Sequence, residues 1–318
     1  MYKVDKHLNE SVFCKLLPTG SLKENRQKMN NKFVKTTFSL LNADYVRLNK
    51  SWNYKNILSP FYRLYLIDGG HGNLTNWDES ITLESGYLYL VPSFTLCNYD
   101  CSGFLGQYYI QFIEESWSGS SLFLHNRKVF KVKAREADFE NFKRLLNLNP
   151  NRGLVKNDPA DYEKSVVLHG FQELNNLLPL AAYIETKGII LQLVARFLNS
   201  EEFRIGEKSN FPPRVQQAVD YIESHFHLNI TVEELAERAS QSPDYFSRQF
   251  NVHTGERPLS YVQFKRIEHA QFLMIQSDLS FNEIALKTGF ESLSYFSRIF
   301  KQRTGQTPSE YKKKNKIV

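Results

Sequence analysis

The hydrophobic pattern changes type along the chain, and its first part is typical of β-structure. Between residues 44 and 133, short aromatic and β-branched runs alternate with turn residues such as Gly69, Gly70 and Pro92. Runs of this length and spacing are typical of the strands of a sandwich or barrel. The clearest predicted strands are residues 61–67, 86–91, 108–113 and 128–132.

After residue 133 the pattern becomes helical. Residues 134–148 form one amphipathic segment, a second helix follows Asp158 and Pro159, and Pro179 is predicted to end that helix. A third helix, predicted over residues 188–199, is apolar on almost every side and must therefore be buried. Two arrangements satisfy this requirement: the helix packs on the β-region, or part of its face contacts a second copy of the chain.

These changes predict an α+β fold in five segments. The β-region is followed by helices, and the polar stretch that ends in Pro212 and Pro213 has the composition of an interdomain linker. An all-α domain is predicted after it. The segments are an N-terminal arm (1–43), a β-region (44–133), a helical segment for linking or dimerisation (134–200), a linker (201–213) and a C-terminal helical domain (214–318).

An internal repeat is the strongest feature of the C-terminal domain. The residues Tyr-Phe-Ser-Arg occur at 245–248 and again at 295–298, and matched Thr-Gly, Pro and Tyr positions follow each occurrence. The two copies are offset by 49 or 50 positions. Four identical consecutive residues in such a matched setting predict one structural unit that is present twice.

Each copy has the pattern of a helix-turn-helix unit. Thr231 and Ser280 are each followed three residues later by Glu, which predicts the capped start of a first helix. The turn after that helix favours a left-handed residue, for which Gly289 is suited, whereas the first unit has Ser240 there. The second helix of each unit buries two Phe side chains spaced four residues apart and leaves Ser and Arg on another face.

Side chains near the start of each second helix are candidates for reading DNA. A recognition helix in the major groove contacts base edges through such positions. Arginine can bind guanine O6 and N7, serine can donate or accept, and leucine can contact a thymine methyl group. The predicted base-reading residues are Asp244, Ser247, Arg248, Leu293, Ser294, Ser297 and Arg298.

A helix predicted from Pro258 to Ile275 joins the two units. Such a helix could hold the recognition helices about 34 Å apart, one turn of DNA, so that both enter successive major grooves. Nearby basic residues would then contact phosphates and position the domain without reading sequence. The predicted phosphate contacts are Lys265, Arg266, Lys301 and Arg303, and the basic tail adds Lys312, Lys313, Lys314 and Lys316.

Charge and composition are compatible with DNA binding, but they do not indicate which part of the chain binds. The 318 residues include 40 Lys and Arg against 34 Asp and Glu, a net charge of +6 that is compatible with nucleic acid. The first ten residues are polar, and no apolar run reaches the roughly 18 residues of a membrane span, so a cytoplasmic protein without membrane contact is expected. Cys14, Cys97 and Cys101 provide neither a disulfide framework nor the four ligands of a typical zinc site.

The repeat resembles the C-terminal domain of the AraC-type transcriptional regulators over about residues 213–311. The resemblance implies a double helix-turn-helix domain that binds double-stranded DNA near promoters, usually as an activator acting with RNA polymerase. The first unit departs from the family pattern at Ser240, at residues 251–253 and at Asp244, whose carboxylate could accept from cytosine N4 or repel phosphate. The matching residues are Ile284, Ala285, Gly289, Phe290, Tyr295, Phe296, Phe300, Lys301, Gly305, Thr307, Pro308 and Tyr311, with Arg266, Ile267, Ala270 and Leu273 in the linking helix.

The resemblance also implies that the N-terminal half is a cupin-like β-barrel that binds a small effector, usually a sugar or another polar metabolite. Polar and aromatic residues within the predicted strands are the candidate effector contacts. His71, which stands between glycines, is instead expected in a turn, with an effector contact as the sharper alternative. The candidate contacts are Arg63, Tyr65, His71, Tyr89 and Gln111.

Two alternatives to an effector-controlled regulator remain open. One is a ligand-independent regulator whose β-region only dimerises, as a homodimer on DNA. The other is a cupin-type sugar-modifying enzyme, which is disfavoured because the β-region holds only His71 and His125 and a metal centre needs at least three protein ligands. We therefore expect no catalytic residue, no metal and no cofactor.

Overall fold

The computed structural model describes residues 36–76, 79–116, 121–123, 126–156, 158–163, 165–200, 203 and 211–313. Several predictions fall outside these residues, namely most of the N-terminal arm with Cys14, most of the linker, His125, and Lys314 and Lys316. The described residues from 37 onward belong to one compact unit.

In the part of the chain that the structure describes, the aromatic and β-branched runs form eight strands. The predicted strands are all present, and additional strands form at the start of the region and between them. The strands are β1 (Thr36–Leu48), β2 (Asn53–Ile57), β3 (Tyr62–Thr75), β4 (Ser80–Glu84), β5 (Tyr87–Val91), β6 (Cys97–Asp100), β7 (Leu105–Ser116) and β8 (Phe130–Lys133).

The strands pair along an open path, β1-β7-β3-β5-β8, with β3 at its centre. The second half of β3 pairs with β4 and β6, and β6 also pairs with β2. The cross-strand register places Arg63 opposite Gln111 and Tyr65 opposite Tyr109. The predicted β-rich N-terminal region is confirmed as an open eight-stranded sheet.

The expectation that His71 lies in a turn is wrong, because β3 continues through the glycines. The β3–β7 register shifts between Ile67 and Gly69, and Gly70 has a φ of 70°. A Cβ at Gly70 would lie 2.0 Å from the carbonyl oxygen of Phe104, so only glycine permits this close approach. The strand therefore bends at the glycines without ending, and His71 is an exposed strand residue opposite Glu84.

Four helices with bounds inside the described ranges follow the sheet: α1 (Glu136–Leu148), α2 (Pro159–Tyr162), α3 (Ser165–Asn176) and α4 (Leu180–Leu198). Pro179 separates α3 from α4, since proline cannot continue a helix. The helix α4 begins eight residues before its predicted start at Gly188. Its buried face packs with strand residues such as Leu64, Ile110 and Phe112 in one core, which confirms packing on the β-region.

The C-terminal domain contains seven helices among its described residues: α5 (Pro213–His225), α6 (Val232–Arg238), α7 (Pro243–Thr254), α8 (Pro258–Gln276), α9 (Phe281–Lys287), α10 (Leu293–Thr304) and α11 (Pro308–Lys313). Two apolar cores form, one around Phe246 and Phe250 and the other around Phe296 and Phe300. The linking helix α8 gives Val262 to the first core and residues 267–274 to the second.

The sheet and its helices contact the linking helix α8 directly. Ile275 of α8 is buried with Leu41, Phe61 and Leu168 in a small apolar cluster. Arg127, just before β8, contacts Glu268 of α8 at the same interface. Across the described ranges, no helix combines the length and apolarity needed to cross a bilayer.

Candidate nucleic-acid interface

The first helix of each repeat unit starts at a hydrogen-bonded cap, as predicted. The hydroxyl of Thr231 accepts from the Glu234 amide at 3.1 Å. In the second unit, the Ser280 hydroxyl accepts from the Glu283 amide at 3.3 Å, and the Glu283 carboxylate accepts from the Ser280 amide at 2.8 Å. These bonds satisfy amide donors that an uncapped helix start leaves without partners.

Both turns contain the predicted left-handed residue, but the two positions differ in available space. Ser240 has a φ of 52° and an exposed side chain. Gly289 has a φ of 84°, and an added Cβ would lie 2.5 Å from the carbonyl oxygen of His227. The second unit therefore requires glycine for two reasons, and the first tolerates serine.

The second helices, α7 and α10, have the predicted division into a buried and an exposed face. Phe246 and Phe250 of α7 are fully buried, as are Phe296 and Phe300 of α10. Each helix ends at a left-handed glycine one residue after Thr254 or Thr304. The matched burial fixes which faces of the two helices remain open to a partner.

The predicted base-reading residues lie on those open faces. Arg248 and Arg298 are exposed, Leu293 is 39% exposed, and both serines of the Ser-Arg pairs are half-buried. The Arg298 guanidinium lies 5.2 Å from the ring centre of Tyr295, whose hydroxyl accepts from Gln263 at 2.7 Å. Base contact by these residues stays a prediction, as it does for Asp244 and Ser294, which are also exposed.

The face of α7 borders a surface cavity of about 410 Å³ that brings five residues together. Asp244, Ser247 and Arg248 line it with Asn251 and Arg257. The sequence reasoning missed the last two residues. Helical spacing could have identified Asn251, which follows Ser247 by four positions and Arg248 by three and so shares their face.

The structure contradicts Lys265 as a phosphate contact. Its ammonium is buried and lies 3.3 Å from the Glu268 carboxylate, which also binds the Arg127 guanidinium through two hydrogen bonds. Burial lowers the pKa of Lys265. Burial opposes ionisation of Glu268, but the charges of Arg127 and Lys265 outweigh it and hold the Glu268 pKa below its ordinary value. These residues form a buried charge cluster.

Two other predicted phosphate contacts donate to groups within the chain. The Arg266 guanidinium donates to the carbonyl oxygens of Phe226 at 2.7 Å and Leu228 at 2.8 Å. Arg303 of α10 contacts Glu256, just after α7, at 2.7 Å, and so joins the two units. Phosphate binding by either arginine stays a prediction, and so does binding by the exposed Lys301.

Two of the five candidate effector contacts, Tyr65 and Gln111, line one cavity. This cavity has a volume of about 30 Å³, and Gln107 also lines it. The side-chain oxygen of Gln107 is buried and has no hydrogen-bond partner among the described residues. Gln107 was not identified as a candidate from the sequence. Burial raises the pKa of Tyr65 to about 12. The Gln111 oxygen accepts from the Asn42 amide at 2.8 Å.

The other candidates have different surroundings. Arg63 is fully buried and donates to the Tyr99 hydroxyl and to the Thr95 carbonyl oxygen. The Tyr89 hydroxyl donates to the Thr82 carbonyl oxygen at 2.9 Å and accepts from the Glu84 amide at 2.8 Å. Arg63 and Tyr89 are engaged in these contacts, and His71 is exposed. The five candidate effector residues therefore do not form one site.

Comparison with known proteins places the strongest similarity in the C-terminal region. Residues 235–314 match the family model described as a helix-turn-helix domain. An uncharacterized HTH-type transcriptional regulator of Staphylococcus aureus (strain MSSA476) is 37% identical over 79 residues, which are 25% of this chain and 11% of that relative. The chain thus spans about a tenth of the length of this relative.

Two solved structures show the extent of the structural similarity. The C-terminal domain of AraT, a response regulator from Geobacillus stearothermophilus, is 32% identical, with 35% of this chain and 92% of that chain covered and a TM-score of 0.33. ToxT from Vibrio cholerae O395 is 15% identical, with 89% of this chain and 99% of that chain covered and a TM-score of 0.42.

Proposed function

Because the C-terminal region of this chain is a helix-turn-helix domain of the AraC type, we propose that the protein is a transcriptional regulator that binds double-stranded DNA in a sequence-specific manner. One observation carries the proposal: the repeated Ser-Arg pairs lie on the open faces of α7 and α10, while the Phe residues of the same helices are fully buried. Arginine with serine suits the donor and acceptor pattern of base edges in the major groove.

The linking helix supports simultaneous use of both units. The helix α8 contributes side chains to both cores, and the Arg303–Glu256 ion pair joins α10 to the end of α7. Because the helix and the ion pair both hold the two units together, we expect the units to contact DNA at a constant separation of about one DNA turn and not independently of each other. Activation through RNA polymerase and assembly as a homodimer belong to the same proposal.

At the cavity lined by Tyr65 and Gln111, the volume favours the ligand-independent mode of control. The space shared by Tyr65 and Gln111 is about 30 Å³. That volume holds about one water molecule, whereas pockets for small ligands measure about 300–1,000 Å³. A sugar would enter this part of the sheet only after several side chains had moved. Thermal-shift screening of the full chain with sugars is expected to give no stabilisation.

Selection from a random double-stranded DNA library tests the proposal directly. The full chain should enrich a motif with two half-sites about one helical turn apart. Arg248→Ala and Arg298→Ala should each cost about 1–3 kcal/mol of binding free energy and relax preference at one base pair, in different half-sites. Lys156→Ala, an exposed charge outside the helix-turn-helix units, serves as the control. The proposal is contradicted if no motif is enriched, or if both arginine variants bind the motif as tightly as the parent chain does.

A further inference from the structure

The exposed faces of α7 and α10 differ in charge, although the two helices are related by the repeat. Three pairs of positions at an offset of 50 residues carry the difference, and all of these residues are exposed. The matched pairs are Asp244 and Ser294, Arg248 and Arg298, and Asn251 and Lys301. At these positions α7 combines one cation with one carboxylate, whereas α10 has two cations and no carboxylate. The second unit therefore suits the phosphate backbone of DNA better than the first unit does.

The polar groups on the face of α7 are not paired with one another in the chain. Asp244, Arg248, Asn251 and Arg257 line the same cavity of about 410 Å³. Within the described ranges, none of these four side chains forms a hydrogen bond or an ion pair with another residue. In the second unit, by contrast, Arg303 is paired with a carboxylate of the chain. One carboxylate, two guanidinium groups and one amide are therefore available to a partner at this cavity.

The carboxylate of Asp244 determines which partner fits. A carboxylate only accepts hydrogen bonds, and DNA phosphates also offer only acceptors, so their charge repels Asp244. In the major groove, the amino groups of cytosine N4 and adenine N6 are the donors that a carboxylate can bind. Where neither lies opposite Asp244, the carboxylate loses water without gaining a partner. The cavity therefore favours a base with an amino group and disfavours DNA that lacks one at this position.

Asn251 extends the same recognition along the helix. It lies seven positions after Asp244, which is about 10.5 Å along the axis of an α-helix. Neighbouring base pairs are about 3.4 Å apart, so the two side chains are positioned for base pairs about three steps apart, with Arg248 between them. Asparagine can bind adenine N6 and N7, and arginine can bind guanine O6 and N7. Each of these three side chains therefore has a different base as its best partner.

We propose that Asp244 and Asn251 determine the sequence preference of the first unit, an inference that rests on the proposed function. Its half-site has a cytosine or adenine opposite Asp244, a guanine opposite Arg248 and an adenine opposite Asn251, all within about four consecutive base pairs. Arg257, between α7 and α8, binds a phosphate at the edge of this site. The second unit, with its additional cation, supplies more of the attraction that does not depend on sequence.

The ratio of specific to non-specific binding tests the role of Asp244. Binding of the full chain to its selected motif is compared with binding to a scrambled duplex of the same length at one salt concentration, because salt changes both. Asp244→Ala should bind the scrambled duplex more tightly than the parent chain does, and its specificity ratio should fall by at least about fivefold. Glu140→Ala removes an exposed acid outside the helix-turn-helix units and should leave the ratio unchanged.

Repeating the selection with variants tests the spacing. Asn251→Ala should relax the preference at one base pair, about three steps from the base pair at which Asp244→Ala relaxes it. Circular dichroism verifies that both variants are folded. If the parent chain selects a motif but Asp244→Ala leaves the specificity ratio unchanged, or if Asn251→Ala relaxes no position, this inference is overturned and the proposed function stands. If the parent chain selects no motif, both are overturned.

Discussion

The two helix-turn-helix units share one backbone design but differ in how tightly that design is constrained. In both units a seven-residue helix is followed by a twelve-residue helix that ends at a left-handed glycine. The second unit has a reciprocal capping box at Ser280 and a glycine turn closed by His227. The first unit has a one-sided cap at Thr231 and an open serine turn. The duplication therefore preserves burial and helix length, whereas local geometry has diverged.

The same contrast extends to the way in which the linking helix α8 contacts the rest of the chain. Its middle, between the two cores, meets the β-region through the buried charges of Arg127, Lys265 and Glu268. Its end, in the second unit, meets the β-region through Ile275 in an apolar cluster. Buried ion pairs specify geometry but contribute little net stability, and they are costly to leave unpaired. We therefore expect the buried charges at the middle of α8 and the turns of the two units to respond differently to mutation.

The largest effect is expected from Glu268→Gln. This change leaves Arg127 and Lys265 buried without a counter-charge and should lower the free energy of unfolding by about 3–5 kcal/mol. Chemical denaturation at pH 7 measures the loss. Glu185→Gln, which removes an acid from the exposed pair with Arg144, is the control and should leave the denaturation midpoint unchanged.

The effect of Glu268→Gln should also depend on pH. The folded-state pKa of Glu268 is depressed, so its contribution is fully present above the ordinary value of 4.5 and is lost as the pH falls through the lower folded value. The stability difference between the parent chain and the variant should therefore shrink at acidic pH. A difference that stays constant as the pH is lowered from 7 to well below 4.5 would contradict an electrostatic contact at the middle of α8.

The next effect separates the two turns. Gly289→Ala should lower the free energy of unfolding by at least about 2 kcal/mol, because the methyl group adds left-handed backbone strain and meets the His227 carbonyl oxygen. Ser240→Ala is the matched variant at the same position of the first unit, where a Cβ is already present, and should change stability by less than about 0.5 kcal/mol. Equal losses at both turns would show that the units do not differ here.

The elements of both units were predictable from the sequence because their signals are local. The capping pairs, the turn positions and the linking helix depend on residues a few positions apart, and the linking helix ends one residue from its predicted end. The burial of Lys265 was not predictable, because it depends on a charge cluster that includes Arg127, 141 positions before its partner Glu268. The position of His71 was also not predictable. It depends on the bend at Gly70 and on the close approach of Gly70 to Phe104, which lies in the connection between β6 and β7.

The smallest effect should be a gain in stability from Ser240→Gly. Left-handed backbone costs a non-glycine residue about 1–2 kcal/mol, and the greater freedom of glycine in the unfolded chain returns roughly 0.5–1 kcal/mol of that. A net stabilisation of about 0.5 kcal/mol should remain, seen as a higher denaturation midpoint with an unchanged denaturant dependence. A lower stability would instead mean that the Ser240 side chain makes a stabilising contact. The turn of the first unit would then be constrained by that side-chain contact, whereas the turn of the second unit is constrained by the lack of space at Gly289.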